Sequence, residues 1–283
     1  MINTVYRLVA PRRFEIAFED INLFGENAIV RPTYLSICNA DMRYYLGTRD
    51  AKVLAEKLPM ALIHEGVGEV FLDPTGTFKT GDKVVMVPNA PVEKDEFIAE
   101  NYLRSSKFCG SSMDGFLQEF VEISPKRLVK LPDDIDMTVA AFTEIVSVSV
   151  HAISRFDKIA HARRNTISVW GDGNLGYITS LFLKYHFPKS KIVVFGTSSD
   201  KLADFTFADE THLVNEVPDG FTTDHAFECV GGNGSPIAIE QIIGLIKPEG
   251  TISILGVSEY PVPINTRMIL EKGLRVFGSS RSG

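Results

Sequence analysis

A glycine-rich hexapeptide places the strongest constraint on how this chain can fold. Gly171, Gly173 and Gly176 have Gly-x-Gly-x-x-Gly spacing and directly follow the apolar run 167–170. Apolar residues then recur at helical spacing, at Leu175, Ile178, Leu181, Phe182 and Tyr185. The first glycine permits a tight turn, the second lets the backbone approach a pyrophosphate, and the third lets helix and strand pack closely. The pattern predicts a strand–turn–helix unit of a parallel sheet.

A dinucleotide is the ligand that such a turn is built to hold, with its pyrophosphate at the positive end of the helix. The residues that we expect to contact it are Gly171, Gly173, Asn174, Leu175 and Gly176. The alternative is a strand–helix turn that binds nothing. The strands and helices that alternate around the turn favour the dinucleotide site.

The end of the next strand bears on which dinucleotide binds. NAD sites usually place an acidic residue there for the ribose 2′-hydroxyl, but Gly196 stands at this position. Small hydroxyl side chains and a lysine follow, and they suit a 2′-phosphate: Thr197, Ser198, Ser199 and Lys201. The loop therefore favours NADPH. Asp200 is the counter-argument, because a shifted loop would offer its carboxylate to the hydroxyl.

The rest of the chain divides into two patterns, and 283 residues are enough for two domains. Short strands at 28–32, 83–88 and 116–123, broken by turn residues, predict an irregular antiparallel barrel over residues 1–150. Strands alternate with helices over residues 151–283, which predicts a doubly wound sheet. Its expected strands are 166–170, 191–195, 226–230, 251–255 and 275–277. A connecting helix is expected over 137–156.

Composition excludes several classes of function. A net charge of −7 argues against nucleic acid as the main partner. Three scattered cysteines favour a reducing compartment. The N-terminus lacks a signal-peptide pattern, and no run is long and apolar enough to span a membrane. These features predict a cytoplasmic protein that does not bind membranes.

Cys38, His64 and Glu65 offer a thiolate, an imidazole and a carboxylate, a ligand set suited to catalytic zinc. A lone cysteine or histidine is more often structural, so spacing alone leaves the matter open. Glu144 lies in the apolar segment 140–146, where a buried charge needs a cation, either a metal or an arginine. A Lewis-acid metal together with a dinucleotide implies hydride transfer to or from a carbonyl.

These motifs together resemble the zinc-containing medium-chain dehydrogenase/reductase family. The matching segments are Cys38-Asn39-Ala40-Asp41, His64-Glu65-Gly66-Val67-Gly68, Gly81-Asp82-Lys83-Val84, the run 144–152 and the glycine turn. The resemblance implies a GroES-like barrel followed by a six-stranded Rossmann domain. It also implies that Cys38, His64 and Glu65 bind one catalytic zinc, with Glu144 as a fourth ligand or as the holder of the metal-bound water.

The polyol-dehydrogenase branch is similar in more detail, because its substrate tyrosine falls on Tyr44. Segments 36–49, 87–101 and 167–178 look like bacterial ribulose-5-phosphate reductases. That resemblance implies NADPH-dependent reduction of D-ribulose 5-phosphate to D-ribitol 5-phosphate, for CDP-ribitol and then teichoic acid or capsule polymers. It also implies a homodimer and functional coupling to a cytidylyltransferase. Arg43 and Arg49 are candidate phosphate contacts, although each also reads as an ordinary surface arginine.

Three positions depart from the family pattern. Ala40 replaces the usual proton-relay hydroxyl, so the proton would come through metal-bound water, Tyr44 or Glu144. Cys109 is alone in the region of the structural zinc lobe, so no structural zinc is expected. The chain ends at Gly283, so we expect either a truncated sequence or a first domain that lacks its relatives' C-terminal return. The alternatives are an NAD-dependent polyol or alcohol dehydrogenase and a non-catalytic nucleotide-binding relative.

Overall fold

The computed structural model describes residues 1–282, which separate into two compact units, Met1–Glu144 and Ile145–Ser282. The predicted domain boundary at residue 150 lies a few residues further along the chain. None of the helices in residues 1–282 combines the length and apolarity that crossing a bilayer requires.

The first unit is built from short antiparallel strands. They are β1 (Ile2–Ala10), β2 (Arg13–Asp20), β3 (Ala28–Ser36), β4 (Met60–Ala61), β5 (Glu65–Leu72), β6 (Lys83–Met86), β7 (Asn89–Ala90), β8 (Lys107–Phe108), β9 (Val121–Ile123) and β10 (Leu128–Lys130). Within the described chain they form sheets of order β2-β1-β4, β10-β6-β5-β3-β9 and β7-β8. The helices are α1 (Asn39–Leu46), α2 (Ala51–Lys57) and α3 (Met137–Ala140), with 3-10 turns at Glu100–Tyr102 and Pro125–Arg127.

Two elements of this unit differ from the sequence prediction. The strand expected over 116–123 is only Val121–Ile123, because Phe116 and Leu117 instead donate backbone hydrogen bonds to Ile63 and Leu62. The helix expected over 137–156 is divided into α3 and α4 (Thr143–Ile159). At the break, the Thr143 hydroxyl donates to the carbonyl oxygen of Ala140 at 2.6 Å. The helix α4 therefore begins at Thr143, immediately before Glu144.

The second unit is a parallel sheet with helices between its strands. The strands are β11 (Thr166–Trp170), β12 (Lys191–Gly196), β13 (Glu210–Leu213), β14 (Thr223–Glu228), β15 (Ile246–Ile254) and β16 (Arg275–Gly278). The helices are α5 (Asn174–His186), α6 (Ser199–Leu202), α7 (Ser235–Leu245) and α8 (Thr266–Lys272), with a 3-10 turn at Gly232–Gly234. The strand order is β13-β12-β11-β14-β15-β16. The chain proceeds across the sheet from β11 to β13 on one side and from β14 to β16 on the other. The switch point between β11 and β14 is where doubly wound sheets bind dinucleotides.

Alternate side chains of the central strands enter two different apolar cores. Ile167 and Val169 of β11 belong to one buried cluster, whereas Trp170 belongs to the other together with Phe195 of β12. Burial on both faces is the normal state of a parallel sheet and explains the nearly continuous apolar runs. β13 was not singled out from the sequence, because Glu210–Leu213 is short and only half-buried.

His225 is a buried histidine in β14 whose neutral form is fixed by its neighbours. Its Nδ1 accepts a hydrogen bond from Thr251 N at 3.2 Å, so its Nε2, 3.0 Å from the carbonyl oxygen of Arg163, is the donor. The ring of His161 lies 4.3 Å away between centroids. Burial, reinforced by His161, lowers the pKa of His225 to about 4. Protonation would remove the bond from Thr251.

We expect the free energy of unfolding to fall as the pH drops from 6.5 towards about 4. Above pH 6.5 the neutral ring contributes fully; below it, the unfolded chain binds a proton at His225 that the folded chain excludes, at a cost on the order of 3 kcal/mol. Urea denaturation across this range should show a shallower pH dependence for His225→Gln than for the wild type. The exposed His186→Gln is the control and should keep the wild-type slope. Equal slopes for wild type and His225→Gln would contradict this account.

Candidate functional site

Three side chains of the first unit converge on one point. Cys38 is the N-cap of α1, His64 precedes β5, and Glu65 is the first residue of that strand. One ligand atom from each lies within 4.8 Å of the others, and His64 Nε2 is 4.0 Å from Glu65 Oε1. Thiolate, imidazole and carboxylate at this separation match the ligand set of a zinc ion.

The turn before β5 explains how adjacent residues reach the same point. Ile63 has a φ of 73°, in the left-handed region that a β-branched residue rarely adopts. Such a conformation costs about 1–3 kcal/mol and persists only where the surroundings enforce it. Here the Ile63 carbonyl oxygen accepts from Phe116 N at 2.7 Å, and Ile63 N donates to Asp41 Oδ1 at 2.9 Å. The irregular backbone turns both His64 and Glu65 inward.

Asp41 links the two segments that carry these side chains. Its Oδ2 accepts from Cys38 N at 3.0 Å and its Oδ1 from Ile63 N, while Oδ1 also lies 3.8 Å from His64 Nδ1. The residue is only 2% exposed, and burial raises its pKa against the opposing effects of His64 and the two backbone bonds. The sequence motif that contains Asp41 assigns no role of its own to this residue. Its place three residues after the N-cap, as in a capping box, was a signal that could have identified it.

Ionising all the acidic side chains of this buried site would be energetically costly without a cation. Burial, then the carboxylates of Glu65, Asp41 and Glu144, raise the pKa of the Cys38 thiol to about 12. Burial also raises the pKa of Glu65, against hydrogen bonds from Ser36 and Cys38. Glu65 Oε1 is buried and has no hydrogen-bond partner among residues 1–282. These residues fit a divalent metal, which would neutralise the carboxylates and stabilise the thiolate.

Glu144 and Tyr44 are placed differently from the three clustered residues. Glu144 is buried in the first turn of α4 and acts electrostatically on Cys38, but it is not a member of the group within 4.8 Å. Tyr44 is 2% exposed and packs in the core with Leu8 and Met60. Its hydroxyl has no hydrogen-bond partner in the described chain. The roles predicted for both residues stay predictions.

The glycine turn of the second unit has the geometry of a phosphate cradle. Gly171 has a φ of 133°, and its N–H donates to the Phe195 carbonyl oxygen at 2.9 Å. A Cβ on Gly176 would lie 2.0 Å from the Gly171 oxygen, so helix and strand require glycine there. At Gly173, by contrast, no heavy atom of the described residues comes within 4 Å of a Cβ position. Gly173 caps α5 without a side-chain hydrogen bond, which leaves the positive helix end to a phosphate.

A groove of about 420 Å³ runs from this turn to the loop after β12. Its lining residues are Asp172, Gly173, Asn174, Tyr177, Lys201, Asp204 and Phe205. Lys201 is therefore brought to the turn, whereas Thr197 and Ser198 donate backbone hydrogen bonds to Asp172. Asp172, the second residue of the hexapeptide, is a contact that the glycine pattern does not predict.

Glu228 is a third carboxylate, after Asp41 and Asp172, to which the sequence pattern assigns no role. It ends β14, is fully buried, and its Oε1 accepts from Val230 N, Gly231 N and the Ser235 hydroxyl at 2.8–3.1 Å. Its Oε2 accepts from Gly256 N at 3.1 Å. One side chain thus joins the loops that follow β14 and β15, at the strand ends where doubly wound sheets bind their ligands.

Comparison with known proteins confirms the predicted fold class. Residues 25–133 match the model of the alcohol dehydrogenase GroES-like domain. The crystal structure of S. aureus TarJ in complex with NADPH has a TM-score of 0.87 and 52% identity, and covers 100% of this chain and 82% of that one. L-idonate 5-dehydrogenase from Escherichia coli, at 20% identity and a TM-score of 0.88, shares the fold.

Curated sequences give stronger similarities over the whole chain. Ribulose-5-phosphate reductase 1 of Staphylococcus aureus is 58% identical over 283 residues, which are 100% of this chain and 83% of that protein. Ribulose-5-phosphate reductase of Bacillus spizizenii is 56% identical over the same lengths.

Cys38→Ala is expected to abolish metal binding in the first unit, because it removes the only sulfur ligand of the three clustered residues in the described chain. Elemental analysis of the purified protein should give about one zinc per chain for the wild type and a small fraction of that for the variant. Cys109→Ala is the matched control, since Cys109 is buried in a core cluster outside the group. Full zinc content in Cys38→Ala would rule out Cys38 as a ligand.

Proposed function

The chain belongs to the ribulose-5-phosphate reductase family, as 58% identity over its full length shows, and we propose that it reduces D-ribulose 5-phosphate to D-ribitol 5-phosphate with NADPH. One observation carries the proposal: Cys38, His64 and Glu65 form a metal-ligand set in a chain whose second unit has a dinucleotide turn. A Lewis acid and a hydride donor are the two requirements of carbonyl reduction.

The metal site is proposed to consist of Cys38, His64 and Glu65. Zinc bound there would act as a Lewis acid towards the C2 carbonyl of the substrate. Asp41 fixes the site beforehand, because its carboxylate holds the backbone on both sides and lies beside the His64 ring. Outer partners of this kind fix the orientation of the ligating imidazole.

Proton delivery falls to a side chain other than residue 40, since Ala40 has no hydroxyl. The Tyr44 hydroxyl is enclosed in the core, whereas Glu144 is a buried carboxylic acid in the first turn of α4. We therefore assign to Glu144 the task of holding the proton that the product oxygen receives. Tyr44 would then shape the substrate site through its ring, over which the Arg49 guanidinium lies at 5.0 Å.

NADPH would supply the hydride and would bind along the glycine turn. Lys201 lines the groove that begins at this turn, which supports a role as a 2′-phosphate ligand. Thr197, Ser198 and Ser199 follow Gly196 and remain proposed contacts. Arg43 and Arg49 are the proposed ligands of the substrate phosphate. An NAD-dependent polyol dehydrogenase is the second candidate, favoured only by Asp200.

The proposed reaction also suggests a cellular setting. The product would serve a cytidylyltransferase that makes CDP-ribitol for teichoic acid or capsule polymers. We propose a cytoplasmic homodimer with no nucleic-acid or membrane partner, consistent with the net charge of −7.

With ribulose 5-phosphate, we expect the zinc-loaded protein to consume NADPH much faster than with free ribulose, because the phosphate allows charge-assisted contacts. Xylulose 5-phosphate, which differs in configuration at one carbon, should be slower. Spectrophotometric assays with the three sugars at equal concentration measure the difference. Equal rates with ribulose and ribulose 5-phosphate would refute the substrate assignment.

Lys201→Ala should weaken NADPH binding about 10- to 100-fold, the value of one or two hydrogen bonds to a charged group, and leave NADH binding nearly unchanged. Fluorescence titration with each nucleotide gives both dissociation constants. Lys189→Ala is the control, because Lys189 is exposed in the same unit and does not line the groove. A parallel loss for both nucleotides would remove Lys201 from the 2′-phosphate site.

A further inference from the structure

Gly196 not only lacks the carboxylate of an NAD site but also has no room for a side chain. A Cβ at Gly196 would lie 2.7 Å from Asp172 Cβ, 2.9 Å from Asp172 Oδ2 and 2.9 Å from a methyl carbon of Leu202. The side chain of Asp172 therefore fills the space that an acidic residue at position 196 would need. Two carboxylates this close could not both be ionised without a large energetic cost.

Asp172 also holds the loop that follows β12. Its Oδ2 accepts from Thr197 N at 2.6 Å, from Ser198 N at 2.9 Å and from the Thr197 hydroxyl at 3.1 Å. Partial burial raises the pKa of Asp172, but these bonds outweigh burial and hold it below its usual value. The ionised carboxylate thus ties the glycine turn to the start of the loop.

The tie extends to the lysine of the groove. Ser198 is the N-cap of α6, and its hydroxyl accepts a hydrogen bond from Lys201 N at 3.4 Å. Asp172 and Lys201 line the same groove. The backbone that presents Lys201 is accordingly held at its start by Asp172, and the hydrogen-bond path between these two residues runs through Ser198.

We propose that Asp172 and Gly196 act as a pair that determines nucleotide specificity. Asp172 is a positioning residue that holds the 197–201 loop for a 2′-phosphate, and its side chain excludes the acidic residue with which a ribose 2′-hydroxyl would be bound. This inference rests on the proposed function, from which it takes NADPH as the cofactor. It adds that cofactor choice depends on the glycine turn as well as on the loop.

If Asp172 and Gly196 act as a pair, the effects of substitutions at the two positions on NADPH and NADH affinity should not be additive. Gly196→Asp alone should weaken both NADPH and NADH, because the new carboxylate meets that of Asp172. Asp172→Ala alone should weaken NADPH and 2′,5′-ADP about tenfold, by releasing the loop. The double variant Asp172→Gly/Gly196→Asp should bind NADH at least about tenfold more tightly than Gly196→Asp does.

Dissociation constants of the wild type, Gly196→Asp, Asp172→Ala, Asp172→Asn and the double variant are measured by titration with NADPH, NADH, 2′,5′-ADP and 5′-AMP, none of which requires turnover. Thermal unfolding checks that each variant is folded. Asp172→Asn is the conservative variant: its side-chain oxygen can still accept from Thr197 N and Ser198 N, so it should restore most of the 2′,5′-ADP affinity that Asp172→Ala loses. A general loss of stability would not give this rescue.

The measured affinities distinguish a failure of the Asp172–Gly196 pair from a failure of NADPH as the cofactor. If the wild type binds NADPH no better than NADH, the cofactor of the proposed function is wrong. If the wild type prefers NADPH but Asp172→Ala keeps full 2′,5′-ADP affinity, Asp172 does not position the loop. If Gly196→Asp gains NADH affinity as well as the double variant does, Asp172 does not exclude an acid at position 196.

Discussion

The carboxylate of Asp41 is the contact on which the first unit's site depends. It accepts backbone hydrogen bonds from Cys38 and Ile63, which belong to segments separated by two helices in the chain. It therefore ties the N-terminus of α1 directly to the strained turn before β5. Because the same carboxylate faces His64, one residue sets both the backbone and the imidazole of the metal-ligand group.

Much of the fold follows from local sequence patterns. Thr166–Trp170 is a strand with the expected bounds, because a short, mainly apolar run before a glycine turn is typical of a buried strand. Patterns fail where a long-range contact decides the outcome. The 116–123 region reads as strand, yet its first residues hydrogen-bond to the turn around Ile63. Likewise the apolar periodicity of 137–156 contains no sign of the break that the Thr143 hydroxyl caps.

The candidate site contains residues that would bind the metal and residues that position the backbone, and the sequence predicts the first kind better than the second. Cys38, His64 and Glu65 stand out in a sequence because few side chains can ligate zinc. Asp41, Asp172 and Glu228 act by accepting backbone N–H groups. Any backbone amide suits such an acceptor, so no partner residue type marks these acids in advance, and only Asp41 has a recognisable spacing, that of a capping box. Only the folded chain shows which amides they meet.

Glu228 connects the loop after β14 to the loop after β15. Its carboxylate receives amides from the loops after β14 and β15, and a Cβ on Gly256 would lie 2.6 Å from both of its oxygens. A Cβ on Gly231 would likewise lie 2.7 Å from Val257 N. The two loops are therefore in close contact at both glycines, and a side chain at either position would collide with its neighbours. The two strand ends on that side of the sheet thus share one buried carboxylate, so the loss of Glu228 would leave backbone N–H groups of both loops without their acceptor.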